Sequence, residues 1–97
     1  MRITLHRLAA QDLEEALDFY RHEAGQGIAR RFLDAVEQQL HLLSQQPLLG
    51  TPSGEGRRCQ PLRTFPYSLI YRVDGEHLRV LVVRHQHRDP AFGAARQ

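Results

Sequence analysis

Tyr67-Ser68-Leu69-Ile70-Tyr71-Arg72-Val73, the pair Asp74-Gly75, and His77-Leu78-Arg79-Val80-Leu81-Val82-Val83-Arg84 form the stretch on which the fold turns. Two runs rich in β-branched, aromatic and aliphatic residues flank an Asp-Gly pair, the composition of a β-hairpin closed by a two-residue turn. With that turn, Tyr71 lies opposite Leu78, Leu69 opposite Val80 and Tyr67 opposite Val82, giving an almost wholly apolar face that something must cover. Side chains two apart share a face. The other face therefore collects Ser68, Ile70, Arg72, His77, Arg79, Leu81, Val83 and His85, basic at one end and apolar in its middle. Taken alone, Arg72 and Arg79 pass for ordinary solvated residues. Leu81 and Val83, on a face with no helix over it, imply a partner that covers them.

The cover for the first face is encoded upstream. From about Ala9 to Ala24 the apolar residues Leu13, Ala16, Leu17, Tyr20 and Ala24 recur at helical spacing, with Asp12, Glu14, Glu15 and Asp18 toward the outside or the positive end of the helix dipole. Gly25-Gln26-Gly27 allows a tight reversal. Ile28, Phe32, Val36, Leu40 and Leu43 then trace a second stripe up to the stop at Pro47. Ahead of both helices, Arg2 to Arg7 alternates as a half-buried strand. Pro47 to Gly56 holds two Pro and three Gly and reads as a loop, followed by a short strand near Arg57 to Arg63 weakened by Pro61. The expected fold class is α+β: an N-terminal strand and a two-helix antiparallel hairpin packed on a twisted antiparallel sheet of about four strands. The chain, residues 1–97, is long enough for one core and too short for two, so a single domain is expected.

Charge is unevenly placed. Up to Gly56 there are 5 Arg against 8 acids, and after it 8 Arg against 3 acids, so the halves carry −3 and +5. The second half is suited to an anionic partner, nucleic acid or an acidic protein segment. All 13 basic residues are Arg, which fits bidentate phosphate and carboxylate recognition and equally fits a genome biased toward GC-rich codons. The single Cys59 cannot form an internal disulfide, and no signal peptide or membrane-length apolar run is visible. A cytoplasmic protein without membrane attachment is expected.

The string Phe65-Pro66-Tyr67-Ser68-Leu69-Ile70-Tyr71-Arg72-Val73, followed after the hairpin by Leu81-Val82-Val83-Arg84-His85-Gln86-His87-Arg88-Asp89-Pro90, resembles the ParE branch of the RelE/ParE toxin superfamily. Ala10 to Tyr20, Ala29-Arg30-Arg31-Phe32 and Pro47-Leu48-Leu49-Gly50 are similar to it as well, so the likeness spans nearly the whole chain. The resemblance implies the toxin half of a type II toxin-antitoxin system: two helices on a twisted sheet, with a cognate antitoxin whose acidic or amphipathic segment wraps the toxin in a hetero-oligomer. It implies inhibition of DNA gyrase by binding. The alternatives are a RelE-like endonuclease acting on mRNA at the ribosome, and a degenerate toxin that only binds its antitoxin. No cofactor is implied.

These readings need different residues. Cleavage through the 2′-hydroxyl requires a base, an acid and cations around the phosphorane. Should the chain be a nuclease, His85 and His87 are the proton-transfer candidates, with Arg63 and Arg88 among the available cations. Nuclease branches of the superfamily commonly carry a catalytic tyrosine in the tail after this strand, whereas the aromatic residue here is Phe92, which has no hydroxyl. For a binding role the candidate surface is Arg58, Arg72, Arg79, Leu81, Val83 and His85. His85 and His87 without a third nearby ligand give no metal site, Tyr67 and Tyr71 read as core residues, and Asp89 and Pro90 as a strand-ending turn.

Overall fold

A computed structural model describes residues 1–97. The chain order is β1 (Arg2–Leu5), α1 (Arg7–Ala24), α2 (Gln26–Gln45), β2 (Thr51–Gly54), β3 (Arg57–Pro61), β4 (Tyr67–Asp74) and β5 (His77–His85). Helix α1 starts where the His6 imidazole Nδ1 accepts the Leu8 N–H at 3.0 Å, occupying the capping role more often taken by Ser or Asp. Gly25 alone separates the helices, at φ 90, a backbone conformation that side chains disfavour. Phe32, Val36 and Leu43 of α2 join Ala16 and Leu17 of α1 in one buried core with Leu69, Tyr71, Leu78 and Val80 of the sheet. Tyr20, Phe32, Phe65 and Tyr67 extend that core as a ring cluster, mostly edge-to-face.

The sheet order is β1-β5-β4-β3-β2. It differs from expectation in two ways. β1 runs parallel to β5, so the sheet is mixed, and the Pro/Gly-rich stretch read as loop contains the fifth strand, β2, paired antiparallel to β3. β2 lies on an outer edge and is exposed throughout, where Pro52 is tolerated because an edge strand has one unpaired side. No helix is long and apolar enough to cross a membrane.

Pro47-Leu48-Leu49-Gly50 owes its form to Tyr71. The Tyr71 hydroxyl donates to the Pro47 carbonyl at 2.7 Å and accepts the Gly50 N–H at 2.9 Å. A Cβ at residue 50 would stand 2.7 Å from that hydroxyl, so only glycine lets the loop approach. Tyr71 is thus a core residue with its polar end satisfied by backbone.

The β4–β5 register explains which side chains face outward. Asp74 pairs with His77, so the two central turn residues are Gly75 and Glu76, not Asp74 and Gly75. Gly75 takes φ 60 and Glu76 keeps a negative φ, the glycine-first pattern of a type II′ turn, whereas a type I′ turn centred on Asp74-Gly75 would need a positive φ at Asp74, which it does not have. The resulting pairs are Val73 with Leu78 and Tyr71 with Val80, a slip that preserves inward and outward sides. A β-bulge then adds Leu81 as an extra residue: Tyr71 faces Val80, but Ile70 faces Val82 and Leu69 faces Val83. Beyond it the faces exchange. Val83 turns in among the helix-packed residues and His85 sits beside Tyr67, while Leu81 and Val82 join Ile70 on the outer face.

That outer apolar patch is covered by the chain itself. Residues 86–97 pass back over it in successive turns, closed by Arg88 N–H to His85 O, Phe92 N–H to Asp89 O, Ala94 N–H to Ala91 O and Arg96 N–H to Gly93 O. Phe92 packs on Ile70, Leu81 and Val82 together with Cys59. Gly93, at φ 80, lies so close that a Cβ there would be 2.5 Å from a Val82 methyl. Arg57 fastens this strap by donating to the carbonyls of Gly93 (3.2 Å), Ala94 (2.9 Å) and Arg96.

β1 ends at Leu5, opposite Val80, and β5 continues past it without a neighbour on that side. Unpaired backbone groups in a buried position are costly. Here Asp12 of α1 accepts the Val83 N–H at 3.0 Å, and Arg96 of the strap donates to the Leu81 carbonyl at 2.9 Å. Asp12 and Arg96 also form a two-bond ion pair at 2.5 and 3.2 Å, with side chains only 7% and 10% exposed. Asp12 therefore points into the fold, toward β5 and the strap, instead of toward the outside or serving only the helix dipole.

Candidate functional site

The candidate residues that stay accessible once the core and strap are in place fall on two surfaces. The first lies on the outer face near the turn. Arg57, Arg72, Arg79 and Thr4 occupy one row across four adjacent strands. Neighbouring strands are about 4.8 Å apart, so cations in such a row repel one another unless each has a partner. Arg57 is spent on the strap, and Arg72 donates to Asp74 at 3.1 Å and to the Gln97 carbonyl at 3.4 Å. Arg79 has no carboxylate within ion-pair distance. Its field reaches His6: burial, then the Arg79, Arg96 and Arg7 cations, hold that imidazole below its ordinary pKa, against a smaller opposing pull from Asp12.

Of the sequence-derived binding residues, Arg72 and Arg79 stand on the face away from the helices, as expected. The others do not join them. Leu81 is fully buried under the strap, so its apolar surface is already covered by Phe92 rather than left for a partner. Val83 is buried on the helix side because the bulge reverses the alternation. Arg58 pairs with Tyr71 across the sheet and donates to the Leu48 and Gly50 carbonyls at 3.2 and 2.9 Å, bracing the loop after α2.

The second surface lies at the other end of β5. Tyr67 and His85 rings meet edge-to-face at 5.0 Å, and His85 and His87 at 5.3 Å. The His87 N–H donates to His85 Nδ1 at 3.0 Å, so the neutral His85 ring carries its proton on Nε2 and presents a donor there. Burial raises the Tyr67 pKa, against an opposing pull from the Arg88 cation, and the phenol stays protonated near neutrality. Phe92 lies against two guanidinium groups, Arg88 at 4.3 Å and Arg96 at 5.0 Å from its ring centre. Arg63 is exposed in the β3–β4 connection and shares none of these contacts. Asp89 caps the Ala91 N–H at 2.9 Å, the turn role read from sequence.

Sequence reasoning missed Asp12, Arg57 and Arg96. A signal for Asp12 existed: it is three residues after the buried Ala9 and four before the buried Ala16, so it stands in the apolar stripe. Nothing local marks Arg96 as its partner, 84 residues away.

A two-helix hairpin on one face of a twisted five-strand mixed sheet, with an arginine row on the other face, defines a protein of the RelE/ParE toxin architecture. The family described as "ParE toxin of type II toxin-antitoxin system, parDE" matches residues 3–90. The chain is 33% identical over 92 residues to Toxin ParE2 of Mycobacterium tuberculosis, in both the CDC 1551 / Oshkosh and H37Rv strains, covering 92% of this chain and 85% of that protein. It is similar to a solved structure of the chromosomal ParDE TA system from P. aeruginosa, with TM-score 0.79 and 28% identity over 88% of this chain and 95% of the other. The chain belongs to the ParE toxin family of type II toxin-antitoxin systems.

Proposed function

We propose that this toxin acts in the cytoplasm as a single domain by binding DNA gyrase rather than by cutting RNA, and that a cognate antitoxin neutralises it through an acidic segment on the Arg72–Arg79 face. The observation that carries the binding reading is the tail. Its aromatic residue is Phe92, which lacks a hydroxyl and is enclosed between two guanidinium groups and the outer apolar patch. His85, the obvious base, has Nδ1 occupied by a backbone donor and offers a proton rather than a lone pair at Nε2. For the antitoxin, Arg79 without a carboxylate beside it supplies charge complementarity. Purified toxin should block supercoiling by gyrase or trap cleaved DNA complexes, and unchanged gyrase activity at saturating toxin would reject this reading.

One feature favours the nuclease alternative: Tyr67, His85, His87 and Arg88 share one hollow. Mapping mRNA 5′ ends on translating ribosomes separates the two, since new toxin-dependent ends belong only to the nuclease. A chain that leaves growth unaffected when expressed as folded protein without antitoxin is the degenerate case.

A further inference from the structure

The hollow at the end of β5 is lined by Phe19 of α1, Tyr67 of β4, His85, His87 and Arg88. Phe19 is out of place for a helix whose buried side is made by Ala9, Asp12, Ala16 and Leu17: it is 56% exposed, touching Tyr20 with ring centres 5.4 Å apart. Tyr67, His85 and His87 continue as rings turned 80° and 70° from one another. Beside them Arg88 is exposed, held over Phe92 at 4.3 Å, and has no carboxylate within ion-pair distance. The adjoining inner hollow adds Asp12 and Glu15. Asp12 is committed to Arg96, and Glu15 accepts from Gln11 at 3.1 Å.

Flat ring surface next to an unpaired guanidinium and an N–H donor is the combination that holds an unstacked base and its phosphate. An acidic peptide would satisfy Arg88, but its carboxylates carry no aromatic face to stack on the rings. The arginine row near the turn, by contrast, offers cations on a strand face and fits carboxylates. We propose that the Phe19–His85–Arg88 hollow binds single-stranded nucleic acid, with a base against Phe19 and the imidazoles and a phosphate on Arg88 and the His85 Nε2–H. This site does not depend on gyrase being the toxin's target.

The test is fluorescence anisotropy of labelled ten-nucleotide oligo-dT and oligo-U with the purified toxin at 0.15 M salt. Saturable binding is expected, weakened about tenfold by Phe19→Ala and by Arg88→Ala, with Arg79→Glu changing it less than about threefold. Phe19→Leu keeps apolar bulk without a flat ring and should lose as much as Phe19→Ala. Tighter binding of either oligomer supports the site and assigns it to DNA or RNA, and equal binding supports a site that reads base and phosphate alone. The proposal is overturned by no saturable binding, by full affinity in Phe19→Leu, or by loss in Arg79→Glu with Phe19→Ala unaffected. Displacement of the oligomer by oligo-glutamate with Phe19→Ala silent would overturn it in favour of an acidic peptide.

Discussion

The two halves of β5, before and after Leu81, obey different rules. From His77 to Val80 the strand has β4 on one side and β1 on the other, its alternation is regular, and Arg79 projects where a period of two places it. From Leu81 to His85 one neighbour is missing, the alternation is reversed, and two backbone groups are met by side chains from α1 and the strap. The first half is specified by local pattern, and the second by side chains outside the strand: Asp12, 71 residues from Val83, and Arg96, 15 residues from Leu81. A strand that loses a neighbour can keep its path only if other groups take over its hydrogen bonds.

The strongest way to break this contrast is Asp12→Leu. It strips Val83 N–H of its acceptor and leaves Arg96 as an unpaired cation in a nearly closed site, so a loss of about 3–5 kcal/mol is expected. Urea unfolding measures it, and a loss under about 1 kcal/mol would show that the second half of β5 holds itself. On the first half, Arg72→Glu with Arg79→Glu should weaken antitoxin affinity by about tenfold or more while the unfolding midpoint moves little, because both project away from the core. Calorimetric titration of the folded double variant with antitoxin checks this, and unchanged affinity would remove the arginine row from the partner surface.

The smallest effect concerns His6, at the junction of β1 and α1. The neutral imidazole is the form that accepts the Leu8 N–H, and burial with Arg79 keeps its pKa below the ordinary 6.5. As pH falls the unfolded chain takes up its proton first. The contribution of His6 is therefore complete above 6.5 and is lost as pH falls through the lower folded value. Thermal melts between pH 7.5 and 5 should show a decline that His6→Asn, a cap without titration, reduces by under about 1 kcal/mol.

Much of the fold was legible because period carries it. The α1 and α2 stripes, the β4 and β5 runs and the outward Arg72 and Arg79 all follow from spacing. β2 was hidden because Thr51-Pro52-Ser53-Gly54 has neither strand composition nor a buried side, and exists as a strand only through β3. The bulge was hidden because Val80-Leu81-Val82-Val83 is apolar at every position, so no alternation reveals where one residue is skipped. That single omission misplaced Val82, Val83 and His85. The strap was hidden for another reason: Ala91 to Gln97 has no periodicity, and its anchors are Arg57 and Asp12, far earlier in the chain.

Arg57 grips main-chain oxygens of the tail, not its side chains. A latch of that kind is indifferent to what Ala94 and Ala95 are. Evolution can rewrite those letters freely while the closure endures, provided that the backbone still turns at Gly93, so kinship between tails would be visible in their trace through space long after it had vanished from their spelling.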